Sequence, residues 1–148
     1  MKYRKAMLND IPALCQIRKK QLLDEGIAPN NTIDEELNAY FLTRISDETL
    51  VEWLAEEEDE IIATAAIAFI SFPPTYTNKS GVKGYITNMY TDPSHRGKGI
   101  AEKMLKYLMN EAIIRDVHKL WLRASEMGRP VYEKTGFKKV DQYMEMNI

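Results

Sequence analysis

The sequence is short of the residues that build redox, metal and membrane sites. Its 148 residues include one cysteine, Cys15, so no intrachain disulfide and no CxxC zinc or redox motif forms. That economy suits a reducing compartment, and we expect a cytoplasmic protein. The only histidines, His95 and His118, lie too far apart for metal-ligand spacing, and no metal is expected. No apolar run approaches the roughly 18 residues of a membrane span; the longest, residues 61–70, is interrupted by Thr64 and rich in alanine. The start, Met1-Lys2-Tyr3-Arg4-Lys5, is basic but has no apolar core after it, unlike a signal peptide. No membrane partner is expected. An excess of one charge is missing too: 20 Lys and Arg face 22 Asp and Glu, a formal net charge of -2, so no overall basic field draws nucleic acid.

What is present suits one globular domain over residues 1–148, with 45% hydrophobic and 28% charged residues. A first strand falls near residues 2–6. Asn9-Asp10 offers an N-cap, Pro12 suits a first helical turn, and Ile11, Leu14, Cys15 and Leu22 share a helical face that ends at Gly26 and Pro29. Thr32 and Glu35 form a capping box before a second helix with Leu37, Tyr40, Phe41 and Ile45 as its stripe. Residues 49–55 and 61–70 read as a hairpin around the acidic run 56–60, and residues 83–91 as a further strand that stops at Asp92-Pro93. A long helix begins near Gly99. Residues 119–124 form a strand, 128–135 a short helix stopped by Gly136, and 137–140 and 142–147 two closing strands. The order β-α-α-β-β-β-α-β-α-β-β predicts an α/β chain of the α+β kind, a mixed sheet with helices packed on it.

Chemistry concentrates in residues 88–101, where a strand enters a glycine turn and a helix starts at once. Arg96, Gly97, Lys98, Gly99, Ile100 and Ala101 occupy that turn and helix start. Glycines let backbone approach a ligand, and the helix's first N–H groups with its dipole make an anion site suited to a pyrophosphate. No GxxxxGK[ST] loop exists, and a GxGxxG reading fails because Glu102 stands where the third glycine belongs.

Arg96-x-x-Gly99-x-Ala101 resembles the Q/R-x-x-G-x-G/A signature of the GCN5-related N-acetyltransferases (GNAT family). It follows a strand and opens a long helix, as in that family. Thirty residues on, Tyr132-Glu133-Lys134-Thr135-Gly136-Phe137 resembles the family's YEKxGF helix. Element order agrees over nearly the whole chain, while residues 1–80 match in pattern only. The resemblance implies acetyl-CoA as co-substrate, with its pyrophosphate over residues 96–101. It implies that the backbone of Met89, Tyr90 and Thr91 pairs with the pantetheine arm, and that one N–H there binds the thioester oxygen. It implies that Tyr132 protonates the departing thiolate. Seven residues earlier, where many members have an asparagine on the cofactor, this chain has Ser125, with shorter reach.

The resemblance therefore implies an acetyl-CoA-dependent N-acetyltransferase acting by direct attack of a primary amine in a ternary complex, with a small-molecule acceptor. A non-catalytic acyl-CoA sensor and a protein lysine or N-terminal acetyltransferase are the alternatives, and a homodimer is compatible with either. Tyr132 also reads as a core aromatic, and Arg96 and Lys98 as surface charges. Asn88 and Tyr90 share a strand face with Ile86, as pocket floor or as packing. Cys15 reads as an inert core thiol and His95 as turn chemistry. The general base is open between Glu52, Glu126 and ordered water. The resemblance also implies an acceptor entrance bounded by the first two helices, here residues 23–33, where the nearby Asp24, Glu25 and Asp34 would favour a cationic amine unless they merely cap helices.

Overall fold

Strand β1 (Lys2–Lys5) passes through a 3-10 turn (Leu8–Asp10) into α1 (Ile11–Asp24), and α2 (Asp34–Ser46) follows. Strands β2 (Leu50–Glu57), β3 (Glu60–Ser71) and β4 (Val82–Thr91) run in series. A second 3-10 turn (Pro93–His95) precedes α3 (Ile100–Ile114), then come β5 (Leu120–Leu122) and α4 (Arg129–Thr135). This is a computed structural model, and it describes all residues 1–148. The five strands form one sheet in the order β1-β2-β3-β4-β5. The first three pairings are antiparallel and β4 pairs with β5 in parallel.

Strand alternation divides the core into two layers. Val51, Ala65, Ile67 and Ile86 project to one face, where Ile100, Met104, Leu105 and Leu108 of α3 cover them. On this side the Trp53 indole stacks on Tyr107 with ring centres 4.3 Å apart. Leu50, Leu54, Ala66 and Ala68 project to the other face, under Ile11, Leu14 and Cys15 of α1 and Phe41 of α2. Cys15 is buried and burial pushes its thiol up, which agrees with an inert core thiol. Covering both faces explains why β3 reads as an almost unbroken apolar run.

Several local expectations are corrected. Asp10 does not cap α1; its carboxylate accepts from the Met7 N–H at 2.7 Å and from Arg4. Helix α2 starts after Ile33 with no side-chain cap, so Thr32 is not its N-cap. Asp34, Glu35 and Glu36 instead place three acids against the positive end of the helix dipole. The two strands expected over residues 137–140 and 142–147 do not form: that segment has no regular secondary structure and is exposed except at Phe137 and in part Thr135 before it. A strand needs a backbone partner, and the three-residue β5 gives its outer edge little length to offer. The segment instead meets the residue just after β5 through side chains, Glu145 lying 3.7 Å from Arg123 and the Tyr143 ring 5.4 Å from it.

Candidate active site

Strand β4 pairs with β5 only at Gly84, Tyr85 and Ile86. Beyond Ile86 the neighbours part, because β5 ends at Leu122 while β4 runs on to Thr91. Residues 87–91 thus present an unpaired backbone edge to a gap in the sheet. On its other side β4 carries a bulge: the step from Thr64 to Ala66 on β3 faces the longer step from Tyr90 to Thr87. Asn88 absorbs the extra residue at φ +51°, a left-handed conformation that asparagine tolerates better than most. Its carbonyl, displaced from the ladder, accepts from the Thr64 hydroxyl at 2.8 Å.

The bulge reverses the side-chain phase of β4, which corrects the expectation that Asn88 and Tyr90 share a face with Ile86. Ile86 and Met89 pack on the α3 side. Asn88 instead faces the α1 and α2 layer, where it bonds Glu52. Met89, Tyr90 and Thr91 all lie on the strand segment beside the gap.

The turn after β4 leads to the start of α3. Gly97 and Gly99 hold φ +77° and +76°, and a Cβ at either would meet nothing within 4 Å. Gly99 is the N-cap and no side chain caps the helix, so its first N–H groups face open space. Lys98 is exposed and free of ion pairs, Ile100 roots the helix in the core, and Ala101 is half-buried. Arg96 is less free. Its Nε donates to the Thr91 carbonyl at 3.0 Å and its Nη2 to Asp24 at 2.6 Å. His95 sits at 2.8 Å from Glu57, tying the turn to the β2–β3 hairpin.

Across the gap, α4 carries Tyr132, 8% exposed, with its ring edge-on to Phe137. Burial, and secondarily the fields of Glu25 and Tyr85, push its phenol up to about 12. Tyr132 has no hydrogen-bond partner in the chain, yet its hydroxyl is not sealed: the sole sealed, unpartnered side-chain polar atom is Trp121 Nε1. Trp121 packs against Tyr85 with the rings tilted by 38° and their centres 4.4 Å apart, just before β4 and β5 separate. Ser125 is exposed and its hydroxyl accepts from the Gly128 N–H at 3.1 Å. A Cβ on Gly128 would come within 2.9 Å of the Tyr132 ring, so glycine there lets the phenol lie flat against the turn.

A second feature escaped sequence reasoning as a unit. A cavity of about 230 Å³ opens between α1, α2 and β4, lined by Arg18, Leu37, Tyr40, Phe41, Thr87 and Asn88. Behind Asn88 stands Glu52 of β2, 3% exposed, accepting from Asn88 Nδ2 at 3.2 Å. Burial pushes its carboxyl up to about 8, against smaller opposing effects from Asn88 and Arg18. Glu52 was one of three candidate bases; strand parity, which puts it between Leu50 and Leu54 on one face, was the signal that it points inward. Glu126, the other carboxylate, is exposed and makes no side-chain hydrogen bond or ion pair. Two of the three acids at the expected entrance are ion-paired, Asp24 with Arg96 and Asp34 with Lys19 at 2.6 Å, while Glu25 accepts only from the neutral amide of Gln21. No group of three His, Cys, Asp or Glu side chains gathers as a metal site, and no helix is long and apolar enough to cross a membrane.

Comparison with known proteins places this geometry. A predicted acetyltransferase of Clostridium acetobutylicum, solved with acetyl-CoA, is 60% identical and superposes with a TM-score of 0.97 over 99% of this chain and 95% of that one. A GCN5-related N-acetyltransferase of Ralstonia eutropha JMP134 is 25% identical, with a TM-score of 0.88 over 99% and 97%. Glucosamine 6-phosphate N-acetyltransferase of Trypanosoma brucei brucei is 28% identical over 81 residues, 55% of each chain, so the chain matches about half the length of that relative. The model of the acetyltransferase (GNAT) family matches residues 12–137, and with the split sheet and the glycine turn already in place, the chain belongs to that family.

Proposed function

We propose that the protein moves the acetyl group of acetyl-CoA to the amine of a small molecule by direct attack within a ternary complex. The observation that carries this reading is the unpaired edge of residues 87–91, flanked by the uncapped glycine start of α3 on one side and Tyr132 on the other. The N–H groups at residues 97–101 hold the pyrophosphate. The β4 edge takes the pantetheine arm as a short added strand, and one of its N–H groups receives the thioester oxygen as charge develops there. The cavity beside Asn88 takes the acceptor. At about 230 Å³ it falls below the ~300–1,000 Å³ of drug-sized sites, which favours a small amine over a peptide. The amine nitrogen bonds the acetyl carbon and the carbon–sulfur bond breaks. Glu52, behind Asn88, is in its ionised form the final acceptor of the nitrogen's proton, and Tyr132 donates its phenolic proton toward the departing sulfur.

The glycine turn supplies the test. Gly99→Asp puts a carboxylate into the open space where phosphate charge would sit, and at φ +76° it also strains the backbone. Gly99→Ala carries the strain without the charge. We expect calorimetric affinity for acetyl-CoA to fall more than tenfold further in Gly99→Asp than in Gly99→Ala. Equal affinities in the two variants would remove the turn from the cofactor site.

A further inference from the structure

We propose that the acceptor is an amine that also carries an anionic group, a carboxylate or a phosphate, held by Arg18 while its nitrogen lies on Asn88. The proposal rests on reading the α1–α2–β4 cavity as the acceptor site, and goes beyond it by assigning the chemistry of both ends.

Arg18 enters the cavity wall from α1 and meets no carboxylate within ion-pair distance anywhere in the structure. Two neighbouring acids are ion-paired elsewhere, Asp24 with Arg96 and Asp34 with Lys19, and Glu25 meets only the amide of Gln21 rather than the guanidinium. Gln21 is 8% exposed, and its two ends are held apart by opposite tasks. Its Oε1 accepts from Arg18 Nη1 at 2.9 Å while its Nε2 donates to Glu25 at 3.1 Å. A buried amide is thus used to fix the direction of a guanidinium that makes no ion pair in the chain. Four of its five N–H donors remain for a planar or tetrahedral anion.

The rest of the cavity does not offset this charge. Leu37, Tyr40 and Phe41 form an apolar wall, and a second guanidinium, Arg44, lies 5.9 Å from the centre of the Tyr40 ring. Under the floor, Glu52 is largely protonated at neutral pH because burial disfavours its charge. The empty cavity therefore presents a positive end at Arg18 and a neutral polar floor at Asn88, next to the gap beside β4. A simple cationic amine finds no negative partner at Arg18 and leaves the guanidinium to be desolvated without compensation. An amine carrying an anion satisfies both ends, and its nitrogen is directed to the side where the thioester would lie. Carboxylates and phosphates share this chemistry, and matched acceptors separate them.

The experiment measures transfer from acetyl-CoA by release of free thiol, with two pairs of acceptors. Glucosamine 6-phosphate is compared with glucosamine, and leucine with leucinamide. We expect one anionic member to exceed its neutral partner at least tenfold in kcat/KM; which pair shows it identifies phosphate or carboxylate. Arg18→Gln should abolish that advantage, chiefly by raising KM for the anionic member. Lys20→Gln removes one exposed, unpaired charge from the same helix outside the cavity and should keep the advantage. An anionic preference that survives Arg18→Gln, or equal use of both members of each pair, overturns the proposal while leaving acetyl transfer intact. No transfer to any of the four amines by protein that binds acetyl-CoA calorimetrically overturns the acetyltransferase reading itself, and this proposal with it.

Discussion

Glu52→Gln is expected to be a slower protein and, in alkaline solution, a more stable one. The two effects have one origin. Glu52 lies under the cavity floor with its carboxyl pushed up to about 8 by burial. A base whose pKa lies near the working pH serves proton transfer well, and losing one typically costs 10²–10⁴-fold. Gln keeps a carbonyl oxygen for Asn88 Nδ2 but cannot take a proton. We therefore expect kcat to fall about 10²-fold or more, with acetyl-CoA affinity unchanged.

The stability sign follows from linkage. In the unfolded chain Glu52 ionises near 4.5, whereas in the folded chain it stays protonated until about 8. Folding takes up a proton across that window, so stability is fullest below 4.5, declines as pH rises, and reaches its floor above 8. Glutamine has no such dependence. Thermal melts should show Glu52→Gln several degrees above the parent at pH 9 and little different at pH 5. A variant that is less active and less stable at every pH would make Glu52 a packing residue whose loss disturbs the bulge. In the parent, kcat should rise as pH passes 8, when Glu52 becomes able to accept a proton.

The parts of this site that could be read from the sequence are the local ones. Gly97, Gly99 and Tyr132 lie in short stretches whose own spacing carries the chemistry, and the strand-turn-helix context is written in adjacent residues. Asn88, Glu52 and Arg18 are brought together from β4, β2 and α1, and no local pattern joins them. The phase of Asn88 and Tyr90 was misjudged for a specific reason. Alternation along β4 holds only while β3 and β4 stay in register, and the extra residue at Asn88 shifts that register. The ion pairing at the acidic entrance was equally non-local, since Asp24 looks free until Arg96, 72 residues away, folds onto it. The closing strands failed because apolar alternation reports capacity to pair, and residues 138–148 find no backbone partner.

Tyr132→Phe is expected to lower kcat about 10²-fold while leaving acetyl-CoA affinity and the melting temperature nearly unchanged. The ring is buried against Phe137 and Gly128, and phenylalanine keeps both contacts. The hydroxyl bonds to nothing in the chain, so its removal orphans no partner. Its task is set by its pKa. A free phenol near 10 and a thiol near 8.5 already make full proton transfer uphill, and burial pushes Tyr132 to about 12. The enclosed leaving sulfur is raised by the same desolvation, which narrows the gap without closing it. Tyr132 therefore acts first as a hydrogen-bond donor to the charge growing on sulfur, and completes the transfer as the product leaves. Removing one such preorganised donor costs about 10²–10³-fold in comparable sites. Because the phenol stays protonated to about 12, it adds no alkaline limb to the rate profile below that pH. Acetyl donors whose thiol is more acidic need the donor less, so the penalty of Tyr132→Phe should shrink as thiol pKa falls. A penalty independent of the leaving thiol, or none at all, would return Tyr132 to a packing role.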